Sequence, residues 1–231
     1  ITMADFVVVI PCRYASVRLP GKPLLAINGQ PMIRHVWDPA GESGATEVVV
    51  ATDDERIAAA AESFGALVCM TGAQHTSGTE RIAEVADIMD WPDDRVVVNL
   101  QGDEPTMPPR LLDECAGLLG DATADIATLA SPFRSQADFE SANCVKVIRD
   151  DHGHAIYFSR AAIPYARDGG ENAARSAALH HHGIYAYRCG VLRQLVAATP
   201  SDIEVCEQLE QLRALSLGMT IAVGIPSVRP G

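Results

Sequence analysis

The sequence is short of positive charge and has no long apolar run. Its 231 residues carry 30 acidic and 18 basic side chains, for a net charge of −12 and a pI near 4.9. This balance disfavours general binding to the backbone of nucleic acids. No apolar stretch approaches the length that crosses a bilayer, and the N-terminus has no signal-peptide pattern. We expect a soluble, cytoplasmic protein that binds small anions, without nucleic-acid partners or membrane insertion.

Paired cysteines, repeats and a dinucleotide fingerprint are also missing. The 6 cysteines are scattered and form no Cys-x-x-Cys pair. Neither a zinc site nor a disulfide framework is therefore indicated, and we expect reduced thiols in the core. No Gly-x-Gly-x-x-Gly follows the first apolar run, which argues against a dinucleotide oxidoreductase.

Short apolar runs alternate with helical patterns in the first half of the chain. Continuous β-rich runs joined by helices are typical of a mostly parallel sheet with helices on both faces, an α/β fold. The runs cover residues 6–10, 48–52, 66–70, 95–100 and 125–129, and the helical patterns cover residues 32–42, 55–63, 78–89 and 108–119. Pro39 is expected to kink the first helix or end it early.

The pattern changes from Val145 onward. Strand-like segments (CVKVI, AIYF and HHHGIYAYR) predict a smaller or antiparallel extension. Ser201 and Glu204 form a capping box at the start of one helix, Ser201 to Leu217. The segment 166–176, rich in Gly, Ala and Arg, is predicted to be a mobile loop.

The segment RYASVRLPGKP follows the first buried run and has the composition of a phosphate-binding loop. Pro23 stands where a Walker A motif has its Ser or Thr, so this is a different kind of loop. The alternative is a solvated basic loop, but three cations in one loop of an acidic chain favour an anion site. The groups that would hold a triphosphate are Arg13, Tyr14, Ser16, Arg18, Gly21 and Lys22.

The run VVVNLQGDEP places Asp103 just after a buried strand. Open α/β sheets bind ligands at this edge, and a carboxylate opposite a cationic loop suits a magnesium–phosphate site. The alternative is an ordinary Gly-Asp turn. Ser77 to Arg81 (SGTER) begins a helix, and its spacing alone indicates only a cap.

Seven blocks resemble the 3-deoxy-manno-octulosonate (KDO) cytidylyltransferase family, also called CMP-KDO synthetases. They occur in the family's order: RYASVRLPGKP, SGTERIAE, VNLQGDEP, NCVKV, YFSRAAIP, HHGIYAYR and IEVCEQLEQLR. The resemblance implies a Rossmann-like nucleotidyltransferase fold with a smaller β-rich dimerisation extension. It also implies a Mg²⁺-dependent homodimer that makes CMP-KDO and pyrophosphate from CTP and KDO, for lipopolysaccharide synthesis. We expect a single domain over residues 3–231. Its nucleotide-binding part would be residues 3–130, and its sugar-binding and dimerisation part residues 131–231.

The resemblance also implies roles for individual residues. Catalysis would rest on Arg13, Lys22 and Asp103, with Asp103 as the Mg²⁺ ligand. The nucleotide would be bound by Arg13, Ser16, Arg18, Lys22, Ser77, Arg81 and Gln101. The sugar acid would be bound by Arg160, His181, Tyr185, Glu210 and Gln211.

Other interpretations remain open. Glu207, Glu210 and Gln211 fit a solvated helix face as well as a binding face. In the tract 180–182, strand alternation would turn His181 away from its two neighbours, so one functional histidine is expected, not a zinc site. A CMP-sialate synthetase, another sugar nucleotidyltransferase and a non-catalytic nucleotide-sugar-binding protein would share the phosphate loop.

The sequence departs from the family pattern in places. Val17 replaces a hydroxyl residue, and His182 and Ala186 replace an apolar residue and a glycine. The family continues past residues 227–231 into a segment whose aspartate is a second magnesium ligand. We expect the given sequence to omit that segment, and the natural start to be Met3.

Overall fold

The structure is a computed structural model that describes residues 5–15, 19–120, 123–168 and 170–229. The elements of its first half are β1 (Phe6–Cys12), a 3₁₀ turn (Lys22–Leu24), β2 (Ala26–Ile27), β3 (Gln30–Pro31), α1 (Met32–Gly41), β4 (Glu47–Thr52), α2 (Glu55–Ser63), β5 (Leu67–Met70), α3 (Gly78–Ile88), β6 (Val96–Asn99), α4 (Pro109–Gly117), a second 3₁₀ turn (Leu118–Gly120) and β7 (Ile126–Pro132). The predicted alternation of strand and helix is confirmed. Helix α1 continues past Pro39 to Gly41, so Pro39 does not end it early.

The second half adds strands and shorter helices. They are α5 (Gln136–Glu140), β8 (Lys146–Arg149), β9 (Ala155–Ser159), α6 (Glu171–Ala177), β10 (Leu179–Arg188), α7 (Cys189–Ala197), α8 (Asp202–Glu207), α9 (Gln211–Ser216) and β11 (Ile221–Gly224). No helix in the described part of the chain is long and apolar enough to span a membrane.

The main sheet has the strand order β11-β7-β10-β6-β1-β4-β5. Strands β1, β4, β5 and β6 pair in parallel, and β11 pairs in parallel with β7. Strand β10 runs antiparallel between β6 and β7, and its first residues also pair with β8, which pairs with β9. The prediction of a mostly parallel sheet flanked by helices, with an antiparallel part in the second half, is confirmed.

Both faces of the sheet are buried, as the continuous apolar run of β1 predicts. Phe6, Val8 and Ile10 pack on one face with α1, α2 and α4. Val7 and Val9 pack on the other face with α3, α7 and α9. The carboxyl ends of β1 and β6 therefore emerge side by side between two helical layers.

The predicted single helix from Ser201 to Leu217 is wrong. Gln208 adopts a left-handed conformation, with φ of 53°, and separates α8 from α9. The Arg160 guanidinium donates to the carbonyls of Glu207 (2.8 Å) and Gln208 (3.3 Å), which gives these carbonyls partners outside a helix. The capping box of Ser201 and Glu204 is present as predicted.

The predicted loop at 166–176 is wrong in its second part. Helix α6 forms there, and Ala174 and Ala178 pack against Phe133 and Phe139. Alanine favours the helical conformation, and α6 buries its alanines against the two phenylalanines.

The cysteines are free thiols. Four of them, Cys12, Cys69, Cys115 and Cys189, are buried, as predicted for core thiols. Burial raises the pKa of Cys12 to about 12, so this thiol stays protonated near neutral pH. Cys206 is exposed on α8, contrary to the prediction.

Candidate active site

A polar cleft lies at the carboxyl ends of β1 and β6, beside the start of α3. Three chain segments line it, namely residues 11–13 with 22–23, residues 75–78 with 81, and residues 101–103. Open α/β sheets bind ligands at this edge because the strand ends converge there. We call this the nucleotide cleft after its predicted ligand. Among the predicted residues, its lining includes Arg13, Lys22, Ser77, Arg81, Gln101 and Asp103.

Lys22 and Asp103 meet across the nucleotide cleft. Lys22 Nζ donates to Asp103 Oδ2 at 2.7 Å, and both side chains stay partly exposed. A partly exposed ion pair contributes little to stability, so both groups can exchange this partner for a ligand. The cleft can thus offer a cation to phosphate oxygens and a carboxylate oxygen to a hard metal ion.

A backbone hydrogen bond joins the two described ends of the predicted phosphate loop. Gly21 N donates to the Tyr14 carbonyl at 2.9 Å, and Gly21 has a φ of +70°, where a side chain would be strained. The Arg56 guanidinium lies 3.4 Å from the centre of the Tyr14 ring. Arg13 is exposed at the mouth of the cleft, whereas predicted residues Ser16 and Arg18 lie outside the described residues.

Ser77 and Arg81 start helix α3 on one wall of the cleft. Ser77 forms a capping box with Glu80. The side chain of Arg81 is almost fully buried, donating to Asp53 Oδ2 at 3.2 Å and to the Gly72 carbonyl at 3.3 Å. These partners hold a positive charge in the wall of the cleft. Asp53 was not predicted, because its role depends on the contact with Arg81 that only the fold creates.

Two glycines let the walls of the cleft approach each other. A Cβ on Gly102 would lie 2.5 Å from Cys12 Sγ and 3.1 Å from the Pro11 carbonyl oxygen. A Cβ on Gly78 would lie 3.1 Å from Pro11 Cγ. These steric roles depend on contacts with Pro11 and Cys12 that only the fold creates, so the sequence alone does not reveal them.

His75 also lines the nucleotide cleft and was not singled out. Its Nε2 is hydrogen-bonded to Glu84, whose carboxylate also accepts from Gly72 N at 2.8 Å. Burial acts to raise the pKa of Glu84, but the hydrogen bonds from His75 and Gly72 outweigh it and lower the pKa. Glu84 is therefore ionised, and it orients the His75 ring.

A second cleft adjoins the first. Tyr185, Glu210 and Gln211, predicted for sugar-acid binding, line it together with Thr79, Asn99 and Tyr187. Gly78 and Gln101 line both clefts, so a ligand in one would lie beside a ligand in the other. Strand pairing sets Tyr185 directly beside Asn99. We call this the acceptor cleft, after the sugar acid predicted to bind there.

The Arg160 side chain is engaged elsewhere. Its guanidinium donates to the carbonyls of Ala142 (3.1 Å), Glu207 and Gln208, and it is not among the residues that line the two clefts. The fully buried Lys146 ammonium donates to the Arg160 carbonyl at 2.6 Å. In this conformation Arg160 joins β9 to the end of α8, and its contact with a substrate carboxylate stays a prediction.

His181 lies behind the acceptor cleft. Its ring centre is 5.2 Å from those of Tyr185 and Phe158, whereas His180 stacks on Phe133 and His182 pairs with Ser131. His181 thus faces away from its neighbours, as predicted. Thr128 Oγ1 donates to the Ile184 carbonyl, so it accepts from His181 Nε2–H at 2.9 Å. Burial lowers the pKa of His181 to about 3, and the ring is neutral.

Comparison with known proteins identifies the family. A family model described as "Cytidylyltransferase" matches residues 7–221. The chain belongs to the cytidylyltransferase family. One relative of this cytidylyltransferase is the 3-deoxy-manno-octulosonate cytidylyltransferase 1 of Actinobacillus pleuropneumoniae serotype 5b (strain L20). It is 48% identical over 231 residues, covering 98% of this chain and 92% of the relative. A 3-deoxy-manno-octulosonate cytidylyltransferase of Vibrio campbellii is 49% identical over 229 residues, covering 98% of this chain and 91% of the relative.

Solved structures similar to this chain support the same family and fold. A CMP:2-keto-3-deoxy-manno-octonic acid synthetase complexed with CTP has a TM-score of 0.88 and 42% identity, covering 96% of this cytidylyltransferase and 90% of that chain. A 4-diphosphocytidyl-2C-methyl-D-erythritol synthase has a TM-score of 0.63 at 14% identity, covering 99% of this chain and 92% of that chain. It shows the shared fold alone. The predicted family, fold and enzyme class are confirmed, while the role of each site residue stays a prediction.

Proposed function

We propose that this cytidylyltransferase transfers CMP from CTP to KDO and releases pyrophosphate. The observation that carries the proposal is the pair of adjoining clefts in a chain about 48% identical to 3-deoxy-manno-octulosonate cytidylyltransferases. One cleft presents cations and a carboxylate that suit a nucleoside triphosphate. The other presents carboxylate, amide and phenol groups that suit a polyhydroxylated acid.

The reaction is an in-line displacement at the α-phosphorus of CTP. The anomeric hydroxyl oxygen of KDO bonds to that phosphorus, the bond to the bridging oxygen of pyrophosphate breaks, and the hydroxyl proton passes to solvent. Lys22 and Arg13 stabilise the negative charge on the phosphates, and the common wall of Gly78 and Gln101 sets the two substrates side by side. Positioning and electrostatics supply most of the acceleration.

Magnesium fits the residues present. Asp103 offers an exposed carboxylate oxygen at the mouth of the nucleotide cleft, and Mg²⁺ is commonly held by one or two carboxylates together with phosphates and water. Asp103 would hold the ion, which supplies charge neutralisation on the phosphates when bound.

A homodimer is proposed on the family resemblance. Exposed apolar side chains in the second half, such as Tyr165 (87% exposed) and Ile156 (59%), offer surface for such a contact. Light scattering on the protein should give twice the chain mass; a monomer at micromolar concentration would contradict this part of the proposal.

Pyrophosphate release tests the function. The assay supplies CTP, KDO and Mg²⁺. In parallel reactions N-acetylneuraminate replaces KDO, or another nucleotide replaces CTP. We expect turnover with CTP and KDO only, and a loss of at least about 100-fold in Asp103→Asn. Asp38→Asn is the matched control, because Asp38 pairs with Arg34 on the surface and does not line either cleft. Turnover with N-acetylneuraminate would indicate a sialate enzyme, and CTP binding without release would indicate a binding protein.

A further inference from the structure

Thr79 lies between the two clefts without lining the nucleotide cleft. It is the second residue of α3, and only 3% of its surface is exposed. Its side chain faces the acceptor cleft, beside Asn99 and Tyr187.

The Thr79 hydroxyl is bound to Glu210. Thr79 Oγ1 donates to Glu210 Oε2 at 2.7 Å, and Ser77 Oγ donates to Glu210 Oε1 at 3.2 Å. Each carboxylate oxygen therefore receives one hydroxyl, which fixes the plane of the carboxylate. The contact joins residues 131 positions apart in the sequence.

Glu210 gains from this support because its side chain projects from the N-cap of α9, at the junction of two short helices. It lies between α8 and α9, after the left-handed Gln208, and no intact helix runs through it. A flexible glutamate loses side-chain entropy when it binds a ligand, and pre-orientation reduces that loss. The lone pairs that Thr79 and Ser77 leave open remain available to hydroxyl groups in the acceptor cleft.

We propose that Thr79 is a positioning residue for the acceptor substrate, acting by holding the Glu210 carboxylate in its binding orientation. This inference rests on the proposed function, because it takes KDO as the substrate of that cleft. Thr79 is not among the residues of the nucleotide cleft, so its loss should weaken KDO binding and leave CTP binding nearly unchanged.

The test is a set of variants at Thr79. Thr79→Val keeps the shape and removes the hydroxyl, Thr79→Ser keeps the hydroxyl, and Thr79→Ala is a smaller second variant. We expect Thr79→Val and Thr79→Ala to raise KM for KDO about tenfold with KM for CTP within about twofold, as for a lost hydrogen bond to a charged group. Thr79→Ser should recover most of that loss.

Two controls separate positioning from folding. Thr46→Val removes a hydroxyl that donates to the Phe6 carbonyl far from both clefts, and it should change neither KM. In a Glu210→Gln background, Thr79→Val should add little to KM for KDO, because the two residues act as one unit.

The results that overturn the inference are distinct from those that overturn the function. An unchanged KM for KDO in Thr79→Val, equal rises in both KM values, or a Thr79→Ser variant as impaired as Thr79→Val would contradict the positioning role while turnover persists. A wild-type chain that releases no pyrophosphate with KDO would contradict the proposed function, and the inference with it.

Discussion

At the scale of single residues, Gly102 decides how close the two walls of the nucleotide cleft can lie. A Cβ at this position would lie 2.5 Å from Cys12 Sγ and 3.1 Å from the Pro11 carbonyl oxygen. The thiol can turn away, but the carbonyl belongs to β1 and cannot. Any side chain at Gly102 must therefore displace the segment that carries Asp103 from β1.

We expect Gly102→Ala to lower the free energy of unfolding by about 1–3 kcal/mol, the usual cost of overpacking. It should also raise KM for CTP, since Asp103 moves. Adding Cys12→Ala should recover part of the stability. Gly117→Ala is the control, because no described atom beyond its chain neighbours and its own helix backbone lies within 4 Å of an added Cβ; it should be neutral or stabilising by up to about 1 kcal/mol. Denaturant titration and CTP kinetics check these values, and a wild-type-like Gly102→Ala would contradict the steric argument.

The residues of the nucleotide cleft could be predicted from the sequence because they follow strands. Gln101 and Asp103 come directly after one apolar run, Lys22 lies in the loop that follows another, and parallel strands share one carboxyl edge. Asp53 and His75 were missed because their importance depends on partners, Arg81 and Glu84, that only the fold brings near. For Arg160, the sequence reveals a charge but not the carbonyls that hold it.

At the scale of elements, the break between α8 and α9 shapes the acceptor cleft. The apolar positions Leu209 and Leu212 continue a helical spacing across it, so periodicity alone predicts one helix. The break comes from tertiary hydrogen bonds to Glu207 and Gln208, which no local pattern reveals. Strand and helix positions in the first half were predicted well because burial on both faces produces continuous apolar runs.

The left-handed Gln208 makes the break testable. Gln208→Ile should lower the free energy of unfolding by about 1–2 kcal/mol, because a β-branched side chain is strained at positive φ. It should also raise KM for KDO, since Glu210 follows two residues later. Gln208→Asn is the matched variant, because Asn tolerates this conformation and should leave both values close to wild type. Chemical denaturation and KDO kinetics measure the difference, and equal behaviour of the two variants would contradict the role of the backbone conformation.

At the scale of the whole molecule, β10 connects the two halves of the chain. Its first residues pair with β8, and its last residues run between β6 and β7. The sequence predicts the strand but not its central place, since antiparallel insertion depends on long-range pairing. The histidines of β10 therefore lie within the packed sheet, and their protonation affects the stability of the entire fold.

Two of these histidines should make the fold sensitive to acid. Burial lowers the pKa of His181 to about 3, assisted by the nearby His182 and His180. Burial lowers the pKa of His182 to about 4, assisted by His180, Arg229 and Arg134. In the unfolded chain these histidines have a pKa near 6.5. Below that pH the unfolded chain therefore binds more protons than the folded chain does. The resulting stability is fully present above pH 6.5 and is lost as the pH falls toward 4.

The free energy of unfolding should fall below pH 6.5 by at most about 1.4 kcal/mol per pH unit for each histidine. Carboxylates with a lowered pKa, such as Asp54 and Glu84, also lower the free energy of unfolding in acid. The contribution of the histidines must therefore be measured separately. His182→Gln and His181→Gln remove one titrating ring each. The difference in unfolding free energy between wild type and each variant should be constant above about pH 7.5 and shrink steadily below pH 6.5. Denaturant titrations across that range measure it, and a difference independent of pH would show that these rings do not keep their neutral form in the folded state.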